Sequence, residues 1–210
     1  MTPKMPPLEI ERRSMATIHR ELGPKVTRFS EEQLAVVMRV IHASADFDYA
    51  DNLLFLNDAV TAGLEALKEG CHIITDTNMA LSGLSKPSMA HLGVQGHCLM
   101  ADPEVAALAK ERDDTRAAVS MELAANRWPQ GIYVVGNAPT ALFKIIELTR
   151  QGHMKPALVV GMPVGFVNVV ESKEALKDLA VPSIVALGRK GGSSVAVAAV
   201  NALLYQKWRA

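Results

Sequence analysis

The last third of the chain alternates short β-branched runs with amphipathic stretches, and that alternation leaves few architectures open. Residues 131–135, 157–160 and 183–187 read as strands, and residues 139–150, 171–179 and 192–206 as the helices that follow them. Pro139 suits the first turn of a helix, where its missing N–H costs nothing. A further β-branched run after Gly70, residues 71–75, reads as a buried strand, and 97–100 as another. Parallel strands need crossovers, and the crossovers place helices on both faces. The expected fold is therefore α/β: an open, mostly parallel sheet with helices on both faces, in a single domain spanning 1–210.

The first half is helical by pattern. A helix over 9–21 ends at Gly23-Pro24. Ser30 with Gln33 forms a capping box for a helix that runs to about Ala45, with Leu34, Val37, Met38 and Ile41 on one face. Asp51 opens a helix to about Leu67, closed by Gly70, and further helices fall over 78–90, 102–112 and 115–127. Residues 1–7 read as a loose arm.

Composition removes several functions. Lys and Arg total 22, as do Asp and Glu, so no bulk positive field exists to hold a nucleic-acid backbone. Aromatic residues are 5%, too few for base-stacking platforms. Cys71 and Cys98 form no zinc spacing and read as reduced thiols of a cytoplasmic protein. No signal-peptide core opens the chain, and charge-free stretches such as 156–170 fall short of the ~20 residues of a membrane span.

Chemistry is expected where strands end. Three strands run into Gly136-Asn137-Ala138-Pro139-Thr140, Gly161-Met162-Pro163-Val164-Gly165-Phe166 and Gly188-Arg189-Lys190-Gly191-Gly192-Ser193. Ligands of open α/β sheets bind beyond the carboxyl ends of the strands. Helix starts there offer unpaired N–H groups to anions. The same turns equally suit plain strand–helix connections. None matches the phosphate-loop or dinucleotide glycine pattern. Asp76, Asn78 and Met79 end the earlier strand over 71–75 and would line the same edge, or Asp76 would simply satisfy a helix N-terminus. Arg116, beside Thr115 at a helix start, is placed to clamp a carboxylate, or is an ordinary surface arginine. Ser14 is a further polar candidate on the first helix.

Among six histidines, His42 has the most telling position. It follows Ile41 at the edge of an apolar helix face, with Ala43-Ser44-Ala45 and then Asp46 and Asp48 after it. An edge position turns imidazole toward a cleft while the helix packs, and imidazole exchanges protons near neutrality. A boundary histidine satisfied by packing fits the spacing as well.

Several of these segments recur together. Arg39-Val40-Ile41-His42-Ala43-Ser44-Ala45-Asp46, Asp76-Thr77-Asn78-Met79, Gly136-Asn137-Ala138-Pro139-Thr140-Ala141-Leu142, Pro163-Val164-Gly165-Phe166, Glu171-Ser172-Lys173 and Gly188-Arg189-Lys190-Gly191-Gly192-Ser193 stand in that order. Together they resemble the precorrin-8X methylmutase family, including its cobalt-precorrin-8 branch in cobalamin biosynthesis, over about residues 10–204. The resemblance implies an isomerase that moves a methyl group from C11 to C12 of a tetrapyrrole, giving hydrogenobyrinate or its cobalt counterpart. It implies no methyl donor, redox cofactor or catalytic metal. It also implies a homodimer, with neighbouring pathway enzymes as further partners and neither nucleic acid nor membrane. It puts the catalytic histidine at His42. Substrate contacts are expected at Ser14, Arg39, Asp76, Asn78, Met79, Thr115 and Arg116. More are expected at Gly136, Asn137, Thr140, Pro163, Val164, Gly165, Phe166, Lys190, Gly191, Gly192 and Ser193. A non-enzymatic corrinoid carrier is the alternative reading.

Overall fold

The computed structural model describes residues 6–209, so most of the expected N-terminal arm lies outside the described residues, and Pro7 already begins a helix. In chain order the elements are α1 (Pro7–Leu22), a 3-10 turn (Gly23–Arg28), α2 (Glu31–Ser44), α3 (Tyr49–Asn52), β1 (Leu53–Leu56), α4 (Ala59–Lys68), β2 (His72–Thr75), α5 (Asn78–Gly83) and α6 (Lys86–Leu92). There follow β3 (Gln95–His97), α7 (Pro103–Glu111), α8 (Arg116–Arg127), β4 (Ile132–Val135), α9 (Pro139–Arg150), β5 (Leu158–Gly161), α10 (Val169–Lys177), β6 (Ser183–Ala186) and α11 (Ser193–Arg209).

The sheet order is β1-β6-β5-β4-β2-β3, parallel throughout except for β1, which pairs antiparallel with β6. Strand periodicity divides the core in two. Ile73, Ile132, Val134, Leu158, Val160 and Ile184 face α2, α4 and α11. Their neighbours Ile74, Tyr133, Val135, Val159 and Val185 face α7, α8, α9 and α10. Both faces are covered, so the innermost strands β4 and β5 are buried at every position.

The capping box at Ser30 is present: its Oγ accepts from Gln33 N–H, and the Gln33 side chain accepts from Ser30 N–H. Two expected helices are corrected. The one expected from Asp51 to about Leu67 contains strand β1, because Leu53-Leu54-Phe55-Leu56 is a continuous apolar run that pairs with β6. Asn57 and Asp58, both left-handed, then turn the chain into α4, and Asn57 Nδ2 donates to Leu179 O and Val181 O. The helix expected over 78–90 breaks between α5 and α6, since Pro87 opens a new first turn. Asn201 of α11 accepts from Ser85 N–H and donates to Gly83 O, which satisfies the exposed backbone of the break. The strand expected over 97–100 lies instead at Gln95–His97.

Long-range bonds fix the direction of α2. Gln206, late in α11, donates to Glu32 O at the start of α2, and Lys190, just before α11, reaches Asp46 and Asp48 just past α2. The two helices are antiparallel. The C-terminal end of α2, with His42, therefore lies at the same end of the sheet as the turn after β6. Among the described residues no helix is long and apolar enough to cross a membrane.

Candidate active site

The carboxyl rim of the sheet is organised around two buried charged side chains. Asp76 follows β2 and is 1% exposed. Its carboxylate accepts from the N–H groups of Gly136 (3.0 Å), Asn137 (2.7 Å) and Ala138 (2.8 Å). Burial pushes this carboxyl up, and the three amide donors pull against that. These are amides expected to meet a ligand anion. The chain fills them with its own carboxylate, so of the two readings of Asp76 the geometry fits the helix-terminus one.

Lys173, on the inward face of α10, is fully buried and donates to Gly188 O (2.8 Å) and Lys190 O (2.7 Å). Burial pulls its ammonium down to about 8, which still leaves it largely charged at neutral pH. The turns themselves interlock. A Cβ on Gly136 would stand 2.6 Å from Ser193 Cα, and one on Gly191 would collide with Met162 O. Gly192 N–H donates to Met162 O at 2.9 Å, and Thr77 Oγ1 shares a hydrogen bond with Ser193 Oγ at 2.9 Å.

Above this frame the rim shows apolar side chains to solvent. Met79 is 71% exposed, Val164 45%, Phe166 84% and Val167 76%. The Arg189 guanidinium lies 5.5 Å from the centre of the Phe166 ring. Gly165, at φ +141°, lets the chain bend there, and its N–H donates to Arg189 O at 3.3 Å. Thr115 caps α8 through Ala118 N–H and donates its hydroxyl to Thr140 Oγ1 at 2.9 Å. Arg116, Asn78 and Asn137 are exposed, while Pro163 is buried.

His42 is exposed in the last turn of α2, between two open cavities. One, of about 440 Å³, is lined by Arg13, Ser14, Thr17 and Phe47 among others. The other, of about 600 Å³, includes Arg39, Ser85 and Tyr205. Ser14 Oγ donates to Ile10 O. Arg39 pairs with Glu11 at 2.6 Å and lies 5.0 Å from the Tyr205 ring centre. Neither cavity is lined by the Gly-rich turns. The link is Lys190, whose Nζ is 2.6 Å from both Asp46 Oδ2 and Asp48 Oδ2. The Lys190 ammonium holds the Asp46 carboxyl below its ordinary value.

The structure thus gathers the expected residues into two groups. Ser14 and Arg39 line two separate cavities that both include His42. Asp76, Asn78, Met79, Thr115, Arg116, Gly136, Asn137, Thr140, Pro163, Val164, Gly165, Phe166, Lys190, Gly191, Gly192 and Ser193 belong to the rim and its turns. Sequence reasoning did not single out Lys173, Arg189, Val167 or the Asp46–Lys190–Asp48 clasp as functional. Lys173 had a signal: it shares the core-facing positions of α10 with Val169, Ser172 and Leu176, where a lysine is out of place.

Such a frame, with helices on both faces and its working turns at the carboxyl ends of parallel strands, is that of an α/β enzyme. The family model for precorrin-8X methylmutase matches residues 9–206. A cobalt-precorrin-8 methylmutase of Priestia megaterium is 44% identical over 197 residues, covering 94% of this chain and 87% of the relative. One from Salmonella typhimurium is 45% identical over 194 residues, covering 91% of this chain and 90% of the relative. The crystal structure of a precorrin-8X methylmutase from Thermus thermophilus superposes with a TM-score of 0.89 at 44% identity, covering 95% of this chain and 96% of that one. The chain belongs to the precorrin-8X methylmutase family, isomerases of cobalamin biosynthesis.

Proposed function

We propose that this chain moves a methyl group from C11 to C12 of a precorrin-8X type tetrapyrrole, with or without cobalt, to give hydrogenobyrinate or cobyrinate. The C11–methyl bond breaks as the C12–methyl bond forms, so substrate and product share one formula. His42 is the acid: its proton makes the macrocycle electron-poor enough for the methyl to migrate, and the proton returns when the ring relaxes. General acid catalysis of this kind is worth ~10²–10⁴-fold. Arg39 and Arg116 meet the acetate and propionate carboxylates, and Met79, Val164 and Phe166 lie against the apolar ring face. The protein works in the cytoplasm as a homodimer.

The observation that carries this reading is the exposed His42 imidazole at the end of a helix tied, through Lys190, to a rim that shows Met79, Val164 and Phe166 to solvent. The test mixes purified protein with precorrin-8X and follows the visible spectrum. Conversion to the hydrogenobyrinate spectrum is expected, with His42→Ala binding the ring but slowed at least 100-fold. Binding without conversion by the wild type would mark a carrier, and wild-type turnover by His42→Ala would remove the acid role.

A further inference from the structure

We infer that Lys173 is a positioning residue for His42, acting through the backbone and side chain of Lys190; this rests on the role for His42 proposed above. A buried lysine demands a reason. The inward face of α10 at this position would accept leucine or methionine with no charge to desolvate. The ammonium instead takes hold of a turn. It donates to the carbonyls of Gly188 and Lys190, while the intervening Arg189 carbonyl accepts from Gly165 N–H. Three consecutive carbonyls are thereby fixed, which sets the direction in which the Lys190 side chain leaves the turn.

That side chain is a strut. Its root is pinned by Lys173, and its tip lies between Asp46 and Asp48. The loop it grips is already organised: Ala45 closes α2 in a left-handed conformation at φ +54°, Asp46 N–H donates to Ser44 Oγ, and Asp48 N–H donates to Asp46 Oδ1. The loop leaves α2 only a few residues after His42. A buried charge beneath the sheet rim thus reaches the end of α2 through one residue, Lys190. Loss of either end of the strut lets the helix end that carries His42 shift relative to the rim.

Three variants test this: Lys173→Met, the pair Asp46→Asn with Asp48→Asn, and all three changes combined. Two readouts serve, steady-state conversion of precorrin-8X and the NMR resonance of the His42 ring Hε1. Lys173→Met and the Asn pair should each lower kcat by about tenfold, with KM within about twofold, because misplacement of a catalytic group taxes the chemical step. Both should shift the His42 resonance. The combined variant should be no slower than either parent, since coupled sites are not additive. A merely structural lysine predicts multiplied losses and an unmoved His42 signal, and either result overturns the proposal. Should Lys173→Met not fold, the Asn pair decides alone: an unchanged kcat and resonance there sink the strut. If the wild type converts no precorrin-8X, the activity reading fails separately, and the NMR shift still reports whether Lys173 and the α2 end are coupled.

Discussion

The turns after β4 and β6 are held from inside, by the buried carboxylate of Asp76 and the buried ammonium of Lys173. The end of α2 is held from outside, by ion pairs of Lys190 that stand in solvent. The first kind of anchor loses little to salt, because low-dielectric surroundings shield it. The second is screened over about 8–10 Å at ordinary ionic strength. The contrast separates two tasks. The rim provides a surface of constant shape, built before any ligand arrives. The helix end carrying the imidazole is held in register with that rim by a clasp that solvent and salt can weaken.

The hardest blow to that division is removal of an inner anchor. Asp76→Ala removes the acceptor of three backbone amides, that of Gly136 buried and those of Asn137 and Ala138 partly so, and an unsatisfied buried donor costs about 1–3 kcal/mol. Loss of about 3 kcal/mol or more is expected in urea unfolding, and a smaller loss would mean that the turn after β4 stands without its carboxylate. A milder probe trims the exposed surface. Phe166→Ala removes a ring that is 84% exposed, so stability should hardly change while KM for the tetrapyrrole rises several-fold in initial-rate assays. An unchanged KM would move the ring's resting place away from the rim. The gentlest probe addresses the outer anchor. The Asp46 carboxyl is held below its ordinary value of 3.8, so its contribution is present above that pH and is lost as pH falls through the folded-state value. Melting temperatures of wild type and Asp46→Asn should differ slightly at pH 5 and converge in more acid solution. Added salt should shrink the same difference, and salt-insensitivity would class the clasp with the inner anchors.

The sequence shows one of these regions better than the other. The strands β4, β5 and β6 and the glycine-rich turns after them were readable because local pattern and fold agree there. β1 was not, because its apolar run sits between stretches with helical spacing and gains strand character only from pairing with β6. The role of Asp76 was readable as one of two options, and its bond to the turn after β4, 60 positions away, carries no local signal. Lys190 and Asp46 lie 144 positions apart, and no local signal joins them. Lys173 stood in a recognisable motif, yet a lysine on a helix is ordinarily a solvated one, and only packing reveals that its ammonium lies under the rim.

The antiparallel ladder of β1 has a consequence for that rim. It extends past the strand itself, with Leu187 N–H donating to Asn52 O at 2.9 Å, directly at the root of the turn that holds Lys190. β1 is thus a selvedge: the border strand Leu53–Leu56 occupies the outer backbone of β6 and closes that margin of the fabric beside the Lys190 turn.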